Sequence, residues 1–454
     1  MRGGGVALRT LVVIAVLMST VRAQGPPPWM SSYQAAVEKI KNGRSEVGVQ
    51  ELEALGSSFP RDPALATSIG AALDSFSRHQ QARSWYQKAL VLDPQYEPAL
   101  NNFALSLASQ GEFERAVPLL ETVLKHNPNN GRAAYNLALI TLRLKRFDEA
   151  ISAFELARKA PVPAAPSEVI ALGEGTALFK LRKYAEATRL LNTSSACCKV
   201  ASCLLLGSSQ ALSNQLPDAV STFQTAVRLA PSNPDAYFRL ALAFMEGRRD
   251  KEAKETLAVG LEAAPNSALL LYGQAIFYEY LGSYDEAIAS AKKSIEADPA
   301  RADVWSLLGS LHAHQGQGDD AEKAYQRAIQ SGAGIDTAVE YAEFLVHAGR
   351  YSEAEKTLDE LRLSHPNDAA VNRGLGKLYK DEGKFDQAAI FLQRAVAEDP
   401  REPSAHYALA MSLQRLGRAT EAKEELGLFN TAKEKTRFVR VLEIASDSML
   451  AEEK

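Results

Sequence analysis

Residues 369–402 read AAVNRGLGKLYKDEGKFDQAAIFLQRAVAEDPRE. Leu375, Gly376 and Tyr379 lie in a first apolar-periodic segment. Phe385, Ala388, Leu392 and Ala395 lie in a second, with apolar residues three or four apart in both, the spacing of one helical face. Gly383 separates the two, where a backbone of positive φ is often needed. Pro400 ends the second because it has no amide hydrogen to donate. The stretch therefore predicts two antiparallel helices closed by a proline turn.

The same pattern recurs along the chain at a period of 34 residues. Ala82, Tyr86, Ala89 and Pro94 repeat the second half, as do Ala219, Phe223, Ala226 and Pro231. A small residue stands at the eighth position of each unit, from Gly70 and Ala104 through Gly309 to Ala410. Small residues there and in the second helix let the two backbones approach to ordinary helix-packing distance. Eleven units can be phased, beginning at Pro63, Glu97, Gly131, Glu168, Val200, Pro234, Ala268, Ala302, Ile335, Ala369 and Pro403. Such a unit cannot bury its apolar face alone, so stability comes from stacked neighbours.

On these residues the chain resembles the tetratricopeptide-repeat family, and Trp305 with Leu308 and Gly309 repeats that family's tryptophan motif. The resemblance implies an all-α fold, a right-handed α-solenoid of stacked antiparallel helix pairs that binds protein or peptide. The expected division is 1–23 signal peptide, 24–32 proline-rich extended tether and 33–62 degenerate helical pair. Units one to three follow at 63–164, a phase-breaking insert at 165–167, units four to eleven at 168–436, and a capping helix and tail at 437–454. The insert closes PVPAAPS (161–167), which either bends the array or is a tolerated loop. The C-terminal pattern through Phe438, Val441, Leu442, Ala445 and Met449 is expected to cover the last unit's apolar face.

The N-terminus reads MRGGGVALRTLVVIAVLMSTVRAQG: a positive n-region, a short apolar core and a small-residue site before Gln24. Cleavage there and a periplasmic or secreted location are expected. An uncleaved anchor is the less favoured reading, because the apolar run is short and contains Arg9. Membrane contact is then limited to that segment or to a partner. The compact, alanine-rich repeats point to a bacterial exported protein. Formal charge is −4, and loss of Arg2, Arg9 and Arg22 makes the mature chain more acidic, which argues against nucleic acid as a partner.

By the resemblance, the first helix of each unit lines the concave face through positions 2, 5, 6, 9, 12 and 13. Asn102 and Asn136 then stand at equivalent positions, suited to holding successive peptide amides. Units five to seven present Leu204, Leu205, Leu212, Phe238, Leu242, Met245, Leu269, Tyr272, Ile276 and Tyr280. Two readings stand: an apolar peptide-binding groove, or curvature that buries these side chains against one another. Farther on, the acidic Asp336, Glu340 and Glu343 precede the basic Arg373, Lys377, Lys380 and Arg415, with Asp381 among them.

No catalytic motif is found: there is no HExxH, GxSxG, phosphate loop or calcium loop. No cofactor and no metal site are expected, although His312, His314 and His347 recur near one another in the repeat. Cys203 could pair with Cys197 or Cys198 in an oxidising compartment, or be a small buried apolar residue. The functional expectation is a non-catalytic binding scaffold of the bacterial envelope or secreted space. The alternative is a substrate-binding accessory subunit of a separately encoded enzyme or export machine.

Overall fold

A computed structural model describes residues 26–193, 199–433 and 441–442. The signal-peptide reading and most of the C-terminal cap lie outside them. Among the described residues there are 24 helices and no strand. The chain divides into two compact units, residues 1–196 and 197–454. The first contains α1 (Met30–Lys41), α2 (Ser45–Ser58), α3 (Pro63–Ser75), α4 (His79–Leu92), α5 (Glu97–Ser109), α6 (Phe113–His126), α7 (Gly131–Arg143), α8 (Phe147–Lys159), α9 (Ser167–Lys180) and α10 (Tyr184–Thr193). The second contains α11 (Val200–Leu212), α12 (Leu216–Leu229), α13 (Pro234–Glu246), α14 (Asp250–Ala263), α15 (Ala268–Tyr280), α16 (Tyr284–Ala297), α17 (Ala302–His314), α18 (Gly318–Gln330), α19 (Ile335–His347), α20 (Tyr351–Ser364), α21 (Ala369–Asp381), α22 (Phe385–Glu398), α23 (Pro403–Arg415) and α24 (Ala419–Lys433).

Each odd-numbered helix packs on the even-numbered helix that follows it, and the turn between them is built the same way throughout. The amide three residues past the helix end closes back five residues, as in Arg78 N–H to the Leu73 carbonyl and Lys384 N–H to that of Tyr379. This is a Schellman closure, and it places the intervening residue in the left-handed region. Glycine fills it at Gly43, Gly111, Gly282, Gly316, Gly349, Gly383 and Gly417; Ser77, Lys145, Arg182, Asn214 and Arg248 fill it elsewhere. A side chain there costs about 1–2 kcal/mol, partly offset by glycine's greater entropy loss. Replacing Lys145 or Arg248 by glycine is therefore expected to stabilise the chain by about 0.5 kcal/mol each, read as a rise in the urea midpoint.

The small eighth residue has a specific neighbour. A β-carbon on Gly207 would come 2.6 Å from Phe223, and one on Gly309 2.9 Å from Tyr325. The ring of the second helix occupies the space that the missing side chain leaves. Side chains at the helix starts add caps: Asp62 accepts from the amides of Ala64 and Leu65 at 2.9 and 3.0 Å, and Asp368 from those of Ala370 and Val371.

Three expectations change. The extended tether over 24–32 does not hold at its described end. Trp29 is buried, packs edge-on against Tyr33 and donates its indole N–H to Asp62 at 2.7 Å, so α1 begins at Met30. The proline insert does not separate one array from another. Ile170 and Ala177 of α9 join one core cluster with Ala153, Phe154 and Ala157 of α8, and Gly173 has no side chain to hold Phe154 away. The boundary between the compact units falls instead at residues 196 and 197. Finally, Leu442 does not cover the last pair. It lies in the core cluster of Leu204, Phe238, Leu242 and Ile276, whereas the cluster holding Leu409 and Leu413 of the last unit lacks it.

Candidate functional site

Helix α13 is buried on every side: ten of its 13 residues are buried, Arg239 among them. A helix buried all round belongs to a core rather than to an open wall. Phe238, Leu242 and Met245 are 0–1% exposed, and Leu204 and Ile276 share their cluster. Leu269, Tyr272 and Tyr280 pack against that cluster half-buried. Leu205 is fully buried and Leu212 half-buried, both outside it. Phe238 and Tyr272 stack at 6.0 Å between centroids, and the Arg301 guanidinium lies 5.0 Å over the Tyr272 ring. The ten candidates thus divide between buried core and half-buried edge.

The edge opens into a groove of about 1240 Å³. Tyr272, Ile276, Glu279 and Tyr280 come from α15; Asp303, Ser306, Leu307, Ser310, Ala313 and His314 from α17; and Asp336, Thr337, Glu340, Glu343, Phe344 and His347 from α19. Val441 lies on its wall. The six α17 residues occupy positions 2, 5, 6, 9, 12 and 13 of the eighth unit, the positions that the repeat resemblance assigns to partner contact. Reading that rule through unit eight would have named them. The C-terminal helical pattern marks Val441 as apolar, but for the face of the last unit and not for this groove.

Five carboxylates line this groove and, among the described residues, no lysine or arginine does. Glu340 accepts from the Ser306 hydroxyl at 2.9 Å. The Asp303 carboxylate pairs with Arg301. Burial drives the phenols of Tyr272 and Tyr325 well above their ordinary range, with nearby carboxylates adding to it, so both remain neutral donors. The volume exceeds that of an ordinary small-molecule pocket and suits a stretch of polypeptide. Carboxylates interspersed with Tyr272, Ile276, Leu307 and Phe344 favour a segment that is both basic and apolar.

The acidic and basic bands of the sequence meet at the joint between units nine and ten. Glu343 accepts from Arg373 Nε at 3.2 Å and Lys377 Nζ at 2.8 Å, and Arg373 reaches Glu402 at 3.3 Å. Burial raises the Glu343 carboxyl, but Lys377 and Arg373 together outweigh it and hold it below its ordinary value. Its stabilisation is present above the unfolded carboxyl value and fades as pH falls through the lowered folded one. Glu343→Gln is expected to cost about 2 kcal/mol at pH 7, a deficit that narrows below about pH 4. Urea unfolding at pH 7, 4 and 3 checks it.

In the first compact unit, Asn136 donates to Asn101 Oδ1 at 2.8 Å, and both are buried. Asn102, the other candidate amide-binding residue, is half-buried one position on. Among the described residues no three His, Cys, Asp or Glu side chains converge as a metal site. His314 instead stacks on Tyr284, and His312 shares a hydrogen bond with Gln317. Cys203 is both fully buried and disulfide-bonded; Cys197 and Cys198 lie outside the described residues.

Comparison with known proteins agrees with this architecture. One family model described as tetratricopeptide repeat matches residues 33–97, 101–166, 272–334 and 345–403, over half of the chain. A second of the same description matches 211–275 and 379–430. The TPR repeat-containing protein YpiA of Bacillus subtilis (strain 168) is 22% identical over 86% of this chain and 92% of its own. Tetratricopeptide repeat protein 8 of Caenorhabditis elegans is 22% identical over 42% of this chain, and the match spans 38% of its length. Among solved structures, yeast Tom70 aligns over 93% of this chain and 96% of its own, with a TM-score of 0.46 and 18% identity. Proteins built from these repeats are typically non-catalytic scaffolds that bind other proteins. From the period, the repeated turn and the family matches, the chain belongs to the tetratricopeptide-repeat family.

Proposed function

We propose that this chain is a non-catalytic protein- and peptide-binding scaffold of the bacterial envelope or secreted space, and that its partner enters the groove lined by α15, α17 and α19. The observation that carries the reading is the groove's composition. Apolar and aromatic side chains alternate with five carboxylates along the same three helices, mostly on the positions by which such repeats hold partners. Export is supported by the signal-like N-terminus. It is also supported by the disulfide at Cys203, a bond that persists in oxidising compartments.

A photo-crosslinking residue placed at Ser310, in the groove, and separately at exposed Val259 on α14, tests this in the source cells. Protein adducts from Ser310 alone, in the envelope or extracellular fraction, are the expected result. Adducts from both positions, or from neither, would refute the groove. For export, the chain is expected to begin at Gln24 and to show one alkylatable thiol before reduction and three after. A full-length cytosolic chain with three free thiols would refute it.

A further inference from the structure

We infer that the groove is a site for a basic, apolar peptide segment, and that its resident is this chain's own C-terminal stretch around Val441 and Leu442. The inference rests on the groove being the partner site and names the chemistry it selects. Two observations point to the occupant. Leu442 is 1% exposed, within the cluster formed by Leu204, Phe238, Leu242, Met245 and Ile276. Val441 packs against the same cluster and lies on the groove wall beside the residues of α15, α17 and α19. The inner side of α13 is therefore closed in some measure by residues that follow the last repeat, and the all-round burial of that helix has a covering group.

Charge gives the second line of argument. The groove carries Glu279, Asp336 and Glu340, besides Asp303 and Glu343, whose charges are offset by Arg301 and by Arg373 with Lys377. The sequence running into Val441 is KEKTRFVR (433–440), with Lys433, Lys435, Arg437 and Arg440 against a single acid, Glu434. Opposite charges beside apolar anchors steer such a segment to this wall and fix its register. Because the segment belongs to the same chain, its effective concentration at the groove is high. An external partner must displace it, and it does so best by offering the same combination of cations and aliphatic side chains.

The test uses the full-length chain and a fluorescent synthetic peptide of residues 433–449. Two full-length variants open the groove by different means: Val441→Asp/Leu442→Asp removes the apolar anchors, and Arg437→Glu/Arg440→Glu the charge. Both variants are expected to bind the peptide at least ~10-fold more tightly than the unaltered chain, and binding to them is expected to weaken between about 50 and 300 mM salt. Equal affinity for all three chains would overturn the resident segment. No binding to either variant, with helical circular dichroism retained, would overturn the peptide specificity. Partner adducts from Ser310 in these two variants do not depend on displacing the resident segment, so failure here is distinguishable from failure of the groove as a partner site.

Discussion

Phe238→Ala is expected to destabilise the second compact unit by about 3–5 kcal/mol, the ordinary cost of removing a fully buried ring. Phe238 is 1% exposed. It stacks on Tyr272 and fills the space left by Gly273, whose β-carbon would come within 2.8 Å of it. Truncation leaves a cavity that the close helix contact of α13 and α15 cannot collapse. In a repeat array the loss stays local, because each unit contacts only its neighbours. Urea unfolding should therefore show α11 to α15 melting ahead of the rest, as an early phase absent from the unaltered chain. The sequence pattern places Phe238 on a binding face; its burial makes it a member of the core that holds that face together.

The second large effect is electrostatic. Glu279→Lys/Glu340→Lys replaces two of the five groove carboxylates by cations on half-buried positions. The affinity of the Val441→Asp/Leu442→Asp chain for the 433–449 peptide is expected to fall at least ~30-fold, about 2 kcal/mol. The loss should shrink at high salt, as screened charges require. Lysine can extend its ammonium toward solvent from such positions, so the fold is expected to survive. The Phe238 and carboxylate variants then separate two roles that one stripe of sequence combines: the first loses stability, the second binding.

Much of this architecture is legible locally. The 34-residue period gives the helix pairs, because apolar spacing, small eighth residues and interrepeat prolines all recur within one unit's length. The turns are legible only where glycine fills them. Ser77, Lys145, Arg182, Asn214 and Arg248 adopt the same left-handed backbone, but their side chains do not announce it, and the five-residue closure imposes it. Trp29 is hidden by its prolines: Pro27 and Pro28 suggest an extended tether, yet the indole finds Asp62 at the start of α3.

The candidate site is only partly legible. Tyr272, Ile276 and Tyr280 line the groove as their repeat positions imply. The acidic band of Asp336, Glu340 and Glu343 lies on its far wall, although Glu343 also ties unit nine to unit ten through Arg373 and Lys377. The packing of Leu442 among Leu204, Phe238 and Leu242 joins residues far apart in the chain. No periodicity carries such a contact, and it decides which apolar positions are core and which are edge.

Amide hydrogen exchange on the Val441→Asp/Leu442→Asp chain, with and without saturating 433–449 peptide, tests the central claim most directly. Added protection on Ala268–Tyr280, Ala302–His314 and Ile335–His347, and on Val200–Leu212 and Pro234–Glu246 where Leu442 packs, is the predicted result. Protection on the even-numbered helices instead, or none anywhere, would contradict a partner-binding groove on α15, α17 and α19.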